Sequence, residues 1–165
     1  MPRPQTHRFP PSQGVPNNPD LPVLIYRAAL PVDAGAMERH IDANGWECRW
    51  RDGVFDFHHF HSTAHETLAI ARGSARVQLG GADGEVFEVA PGDVFVLPAG
   101  TGHKRLEASA DFLVIGAYPP GQDYEIEMPA AGSLGPALEA IAKVPLPDSD
   151  PVGGKQGELM RLWRA

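Results

Sequence analysis

Short segments with a strand-like pattern fill the middle of the chain and are separated by turns rich in glycine and proline. These turns lie at 72–73, 80–84, 90–93 and 98–102. Polar and apolar residues alternate between them, or apolar residues run together, which predicts strands at 67–71, 75–79, 85–89, 94–97, 103–107 and 112–118. Many short strands with regular turns indicate a mainly β sandwich or barrel and not a βαβ sheet.

Three further strands are predicted before this region, at 23–30, 46–50 and 54–61. A turn at Asp52-Gly53 separates the last two. Side chains alternate between the two faces of a strand, so His58 and Phe60 are expected on one face of the third strand. The opposite face is then expected to carry Phe55, Phe57, His59 and His61.

Two short helices are predicted to flank the β region. Asp33 is a good N-cap for the first helix, whose apolar positions include Met37 and Ile41, and Gly45 stands where a helix commonly ends. Ser133 can cap the second helix, and the prolines at 145 and 147 prevent its continuation. The last segment, 158–165, is predicted to pack back on the sheets as a strand or a short tail.

A chain of 165 residues is expected to form a single domain with a substantial core. We divide it into a proline-rich arm at 1–22, a β-barrel at 23–128, and a C-terminal helix and tail at 129–165 that pack on the barrel. Proline favours an extended arm that is only partly ordered. Alternatively, the arm lies over a neighbouring subunit. Open sheet edges and such an arm favour a homodimer.

Composition excludes several classes of partner. The formal net charge of -7 argues against nucleic acid and against an anionic membrane surface. No apolar run reaches the roughly 18 residues that a spanning helix needs. The N-terminus lacks the apolar region of a signal peptide, so we expect a cytoplasmic protein. Cys48 is the only cysteine and lies between two tryptophans, which favours a small buried residue over a nucleophile.

The strongest candidate chemistry lies between His59 and Gly73. His59 and His61 emerge on the same side of the predicted strand, about 7 Å apart, and can converge on one ion if the strand curves. Glu66 follows in the same region and could supply a carboxylate oxygen, and His103 is a fourth candidate further along the chain. A pair of histidines alone is weak support for a metal site, because histidines are often satisfied by packing or hydrogen bonds.

The spacing of these residues resembles the paired motifs of the cupin superfamily. The first motif has Gly53, the histidine pair, Glu66 and Gly73, and the second has Gly92, Pro98, Gly100 and His103. Cupins commonly carry asparagine four residues after the last histidine, where this chain has Glu107. The segments GVFDFHHFHSTAHETLAIARGSARV, PAGTGH and GAYPPGQ further resemble the YjlB-like proteins, a group of bacterial monocupins without an assigned biochemical role.

The resemblance implies a cupin barrel, that is, a double-stranded β-helix or jelly roll, with one divalent metal ion bound per chain. It makes the metal ligands His59, His61, Glu66 and His103. Three imidazoles and one carboxylate suit Fe, Mn, Ni, Zn, Co or Cu, and an octahedral ion would keep two positions for water or a chelating substrate.

Other residues near the two motifs have either a role in the site or a structural role. Arg105 has the strand parity of His103, so it lies either in the pocket, where it could hold a carboxylate or phosphate of a substrate, or on the surface. Phe57 is read as barrel core that could also wall a ligand cavity. His58 and His65 are expected to face away from the ion.

Two functions follow from this site. The first is a metal-dependent enzyme of dioxygenase or isomerase type that acts on a small oxygen-rich substrate. The alternative is a non-catalytic cupin that binds or senses a small molecule. A structural barrel that has lost its metal is disfavoured, because all four ligand-type residues stand at the motif spacing.

Overall fold

The computed structural model describes residues 3–164. In this range the chain forms nine strands: Gln5–His7 (β1), Val23–Tyr26 (β2), Glu47–Asp52 (β3), Glu66–Arg72 (β4), Ala75–Leu79 (β5), Glu85–Val89 (β6), Val94–Leu97 (β7), His103–Ala108 (β8) and Leu113–Tyr118 (β9). The helices of the same range are Ala34–Ala43 (α1), Leu134–Ala142 (α2) and Glu158–Leu162 (α3). None of these helices has the length and apolar character needed to cross a bilayer.

The strands form two antiparallel sheets. The large sheet has six strands in the order β1-β2-β7-β4-β9-β3, and the small sheet has three in the order β6-β5-β8. Every ladder between named strands is antiparallel. The predicted mainly β fold is therefore confirmed, although the ladders in the described part of the chain form two separate sheets and not one closed barrel.

The core lies between the sheets and on the outer face of the large sheet. Apolar side chains of β4 and β7, such as Leu68 and Phe95, meet Val77 and Phe87 of the small sheet. The alternate residues of the large sheet point outward and are covered by α1 and by the C-terminal segment. This second cluster includes Tyr26, Met37, Ile41, Leu159 and Trp163. Both faces of the large sheet are thus buried, which explains why β2 and β7 are apolar throughout.

Helix α1 forms as the sequence predicts. The Asp33 side chain accepts a hydrogen bond of 2.8 Å from the Ala36 N–H, and Gly45 follows the C-cap with a φ of 88°. Helix α2 also begins at the predicted place, but Ser133 does not cap it with its side chain. The Ser133 hydroxyl donates to the Ala130 carbonyl at 2.8 Å instead.

Three predicted elements differ from the structure. The strand predicted at 23–30 ends at Tyr26, because the Ala28 N–H turns to the Asp93 carboxylate at 2.9 Å and Ala28 has a φ of 46°. The segment 54–61 is not a continuous strand and has ladder-like pairing only at His59 and Phe60. The chain end forms helix α3 and not a strand, and the Asp150 carboxylate accepts the Leu159 N–H of this helix at 3.0 Å.

The N-terminal segment packs on its own chain. Residues 5–7 pair with β2 as an edge strand. The Asn17 side chain donates to the carbonyls of Pro10 and Gly80 at 2.8 and 3.0 Å, and it accepts the Gly102 N–H at 3.0 Å. These bonds hold the segment against the loops that precede β8. Residues 1 and 2 of the predicted arm lie outside the described residues.

Candidate metal centre

The candidate metal centre lies where the two sheets meet. Glu66 is the first residue of β4 in the large sheet, and His103 is the first residue of β8 in the small sheet. His59 pairs directly with His103, because each residue donates its backbone N–H to the carbonyl of the other, at 3.2 and 2.9 Å. Their imidazole ring centres are 4.0 Å apart, with His61 next to them at 6.1 Å from His59.

Each of the three imidazoles is oriented by a hydrogen bond to the backbone. The Nδ1 atoms of His59, His61 and His103 lie 2.9, 2.9 and 3.0 Å from the carbonyl oxygens of residues 57, 125 and 101. A carbonyl can only accept, so each Nδ1 carries the proton. When the ring is neutral, Nε2 therefore carries the lone pair, which is the form in which histidine binds a metal ion.

Glu66 completes the group from the opposite side. Its side chain is 2% exposed, and its Oε2 and Oε1 atoms lie 3.2 Å from His61 Nε2 and 3.1 Å from His103 Nε2. One potential ligand atom from each of these three residues lies within 4.8 Å of the other two. His59, the fourth predicted ligand, is not part of this three-residue group, although its ring centre lies 4.0 Å from that of His103. The role of all four residues as ligands stays a prediction.

The donor set fits a divalent metal ion. The Oε1 atom of Glu66 is buried and has no well-aligned hydrogen-bond donor, although a carboxylate oxygen rarely stays unpartnered in a protein interior. Three neutral imidazoles and one carboxylate carry a single negative charge and offer nitrogen and oxygen donors. Such donors suit Fe, Mn, Co, Ni, Cu or Zn.

The Glu66 carboxylate is also held from behind by two aromatic residues that sequence reasoning missed. The Tyr118 hydroxyl donates to Oε2 at 2.5 Å, and the Trp50 indole N–H donates to the Tyr118 oxygen at 2.8 Å. Trp50 lies opposite Gly116 in the β3–β9 ladder, and a β-carbon at Gly116 would stand 2.0 Å from the indole ring. Glycine at this position therefore makes room for the ring that supports Tyr118.

The protonation states follow from burial and from the Glu66 charge. Burial and the neighbouring His103 lower the pKa of His59 to about 3, so its ring is neutral at pH 7. Burial alone would lower the pKa of His61, but the Glu66 charge and their hydrogen bond raise it to about 9, so without an ion this ring is protonated at pH 7 and would release the proton on binding a metal. Burial opposes ionisation of Glu66, yet the two adjacent imidazoles hold its pKa well below the usual range. Glu66 is thus an anion at pH 7.

A cavity of about 550 Å³ opens above this group. The apolar and aromatic part of its lining, the aromatic wall, comprises Trp50, Val54, Phe55, Leu68, Tyr118, Tyr124 and Ile126. Charged side chains occupy the rest of the wall besides the ligand group, namely Asp52, Asp56, Arg105 and Glu125. A small molecule in this cavity would reach the Nε2 atoms and the Glu66 carboxylate directly.

The other predicted residues have different places. Arg105 lines the cavity, with its Nη2 atom 3.9 Å from Asp56 Oδ2. Phe57 lies outside the lining but stacks on Phe55, with ring centres 4.9 Å apart. Glu107, at the position where cupins commonly have asparagine, forms an exposed ion pair with Arg76 at 2.9 Å.

His65 lies outside the group, and the prediction that it faces away from the ion agrees with its contacts. The Ala99 N–H donates to its Nδ1 atom at 2.9 Å, and its ring packs 4.9 Å from that of Trp163. His65 is nevertheless buried and not a surface residue, and burial lowers its pKa to about 4.

Cys48 is half-buried, and burial with the nearby Asp42 raises its thiol pKa to about 12, as expected for an unreactive thiol.

Sequence comparisons agree with this architecture. A family model described as cupin matches residues 53–117, which include all four candidate ligands. The uncharacterized protein YjlB of Bacillus subtilis is 40% identical over 159 residues, which cover 96% of each chain.

Solved structures with a similar fold are more distant. A DUF861 family protein from Thermotoga maritima is 24% identical, with a TM-score of 0.36, over 57% of this chain and 96% of its own. An oxalate decarboxylase variant from Bacillus subtilis is 17% identical, with a TM-score of 0.34, over 65% of this chain and 22% of its own. The chain thus spans less than a quarter of that enzyme. On its long match to YjlB and on the family match over the two histidine motifs, this chain belongs to the cupin superfamily, in the family of YjlB.

Proposed function

We propose that this cupin is a metal-dependent enzyme, of dioxygenase or isomerase type, that acts on a small oxygen-rich molecule. One observation carries the proposal: His61, His103 and Glu66 bring potential ligand atoms together in the lining of an open cavity, with the His59 ring beside that of His103. The side chains that would hold the ion are His59, His61 and His103 through Nε2 and Glu66 through Oε1.

The residues around the cavity would have different roles in the proposed reaction. A bound divalent ion supplies Lewis acidity and, if it is redox-active, electron transfer. The Trp50–Tyr118 pair holds Glu66 Oε2 and so keeps Oε1 directed at the ion. The aromatic wall would exclude water from the part of the cavity it lines, and Arg105 would supply a positive charge in the same lining.

One observation favours the alternative, a non-catalytic cupin that binds or senses a small molecule. The Tyr118 hydroxyl donates to Glu66 and accepts from Trp50, so it has no proton to give to a substrate. Burial and the Glu66 charge strongly raise its pKa, which keeps the phenol protonated. A binding protein needs no proton donor at this position, whereas an enzyme must draw its acid or base from elsewhere in the cavity.

The first test is elemental analysis of untagged protein purified without added metal, beside the His61→Ala/His103→Ala variant. We expect about one equivalent of a divalent transition metal per chain in the wild type and a large loss in the variant. His58→Gln is the matched control, because His58 is a neighbouring histidine that does not line the cavity, whereas His59, His61 and His103 do. Metal that stays in the double variant, or is lost equally from the control, would contradict the ligand assignment.

The second test separates enzyme from binding protein. Metal-loaded protein is incubated with a panel of diketones, catechols, thiols and sugar phosphates under air and under nitrogen. We expect turnover of at least one class, with loss of activity in the His61→Ala/His103→Ala variant. Stoichiometric binding of a ligand that is recovered unchanged would favour the alternative function.

A further inference from the structure

The cavity wall also indicates what kind of molecule the site takes. We infer that the ligand is a chelator with an apolar, preferably aromatic body and at most one negative charge. This inference rests on the proposed metal site and narrows its substrate class. It is carried by the shape of the aromatic wall, by the apolar rim, and by the charge balance around the cavity.

The aromatic wall is rigid and already assembled. Tyr124 stacks on Tyr118 with ring centres 4.1 Å apart and ring planes 9° from parallel. Tyr118 is fixed in turn by its bonds to Trp50 and Glu66. A flat apolar body could slide along this wall without any side chain having to reorder, which keeps the entropic cost of binding low.

Apolar residues continue out to the rim of the cavity. Phe55 and Ile126 both line it, and they are 49% and 48% exposed. Large apolar side chains at the mouth of a cavity lose their contact with water when an apolar ligand covers them. A ligand that consisted only of a small charged group would leave this rim exposed.

The charge balance limits how negative the ligand can be. One charge of a divalent ion would be balanced by Glu66, so the ion favours one anionic oxygen from the ligand. Further out, the wall has three carboxylates, Asp52, Asp56 and Glu125, against the single guanidinium of Arg105. Asp56 already lies 3.9 Å from that guanidinium. A second negative charge on the ligand would therefore meet net repulsion.

Three α-hydroxy acids with the same chelating head test this inference. Lactate carries a methyl group, mandelate a phenyl ring, and tartronate a second carboxylate in its place. On metal-loaded protein we expect mandelate to bind about tenfold more tightly than lactate, because the phenyl ring is buried. We expect tartronate to bind more weakly than lactate, although its extra oxygen makes it the better chelator of a free ion. Binding is measured by calorimetry, with the metal content determined before and after.

Two variants test whether the cavity lining causes these differences in affinity between the three acids. Phe55→Ala is expected to reduce the preference for mandelate over lactate several-fold. Asp56→Asn/Glu125→Gln is expected to improve the binding of tartronate, with two negative charges, more than that of mandelate, with one. Val86→Ala is the control, because Val86 is equally apolar and 41% exposed but lies on β6, outside the cavity lining. It should leave all three affinities as they are.

The outcomes are distinct. Tartronate that binds more tightly than mandelate, or metal-loaded protein that binds none of the three acids at millimolar concentration, would overturn the inference and leave the metal site standing. A mandelate preference that survives Phe55→Ala unchanged would contradict the role of the rim. Wild-type protein without metal would instead refute the proposed function, and the inference with it, before any acid is added.

Discussion

Glu66 and the three histidines beside it share one feature: the two ligand-type atoms of each side chain have different surroundings. Oε2 is fixed by the Tyr118 hydroxyl, whereas Oε1 has no hydrogen-bond donor of good geometry. In each histidine Nδ1 is bound to a backbone carbonyl, and the Nε2 atoms of His61 and His103 lie beside the Glu66 carboxylate. The site is therefore preorganised: every candidate ligand has one atom held by the protein and one left for an ion.

At the scale of single residues, Tyr118→Phe should weaken metal binding without unfolding the protein. The variant keeps the ring and its stacking on Tyr124 but removes the hydrogen bond to Glu66. We expect the metal dissociation constant to rise about 10- to 100-fold, as is common when a group that orients a ligand is removed. Competition with a chromophoric chelator measures the constant.

Tyr124→Phe is the matched control, because Tyr124 is the stacked partner and contributes only its ring to the contact with Tyr118. It should leave the dissociation constant within about twofold, well under the tenfold that 1.4 kcal/mol represents. Equal affinity in the wild type and Tyr118→Phe would mean that the Glu66 orientation does not depend on Tyr118.

The candidate ligands were accessible from the sequence, whereas their supports were not. His59, His61, Glu66 and His103 stand at a recognisable spacing, and the chemistry of their side chains indicates a metal. The contact of Trp50 with Tyr118 spans 68 residues and depends on the register of the β3–β9 ladder. No local pattern reports such a register, so both aromatics look like ordinary core residues of a strand.

Among the elements, the β3–β9 pair connects packing to the site. Trp50 lies opposite Gly116, and the register shifts by one residue between Cys48 and Trp50. An irregularity of this kind bends a strand and redirects its side chains. The indole ring lies across the backbone of Gly116 and reaches the Tyr118 hydroxyl, so a strand pair on the edge of the large sheet supports a ligand inside the molecule.

Gly116→Ala should destabilise the protein and loosen this support. The added β-carbon would stand 2.0 to 2.6 Å from three indole atoms, so the ring must move. We expect a loss of about 1–3 kcal/mol in the free energy of unfolding, as for other overpacked sites. Chemical denaturation measures it, and the difference in tryptophan fluorescence between this variant and the wild type reports the displacement of the ring.

Gly135→Ala provides the comparison, because a β-carbon there meets nothing within 4 Å and the residue lies in α2. This substitution should be neutral or stabilise the protein by up to about 1 kcal/mol, since alanine favours a helix. If Gly116→Ala were as stable as Gly135→Ala, the indole ring would not be confined as described.

Prediction of the elements succeeded where the pattern was local. The bounds of β5, β6 and β7 follow from alternation and from glycine turns. It failed at 54–61, where the chain passes between β8 and residue 127 and pairs with them only at isolated positions. It also failed at α3, which has five residues, too few to show a helical period, and which is stabilised by the distant Asp150.

For the whole molecule, the C-terminal segment joins regions that are far apart in sequence. Trp163 is 3% exposed, and its indole N–H donates to the Pro22 carbonyl at 2.9 Å. Its ring packs against His65, the residue before Glu66. The end of the chain therefore covers the outer face of the large sheet directly behind the first residue of β4.

Trp163→Ala is expected to lower the free energy of unfolding by about 3–5 kcal/mol, since it opens a large cavity and leaves the Pro22 carbonyl without its donor. Trp163→Phe should cost less, because a ring remains. Leu146→Ala, at a residue 41% exposed in the preceding segment, should change stability by less than about 0.5 kcal/mol. Denaturant midpoints of the three variants test this order, and a Trp163→Ala midpoint equal to that of Leu146→Ala would contradict it.

The position of Glu66 on one sheet and His103 on the other has a consequence for the energetics of the fold. An ion held by both residues is a cross-link between two sheets that otherwise meet through side-chain packing. Binding free energy then becomes folding free energy, and the thermal midpoint rises with the concentration of free metal. The lifetime of the folded chain would thus follow the metal supply of its surroundings, whatever reaction the site performs.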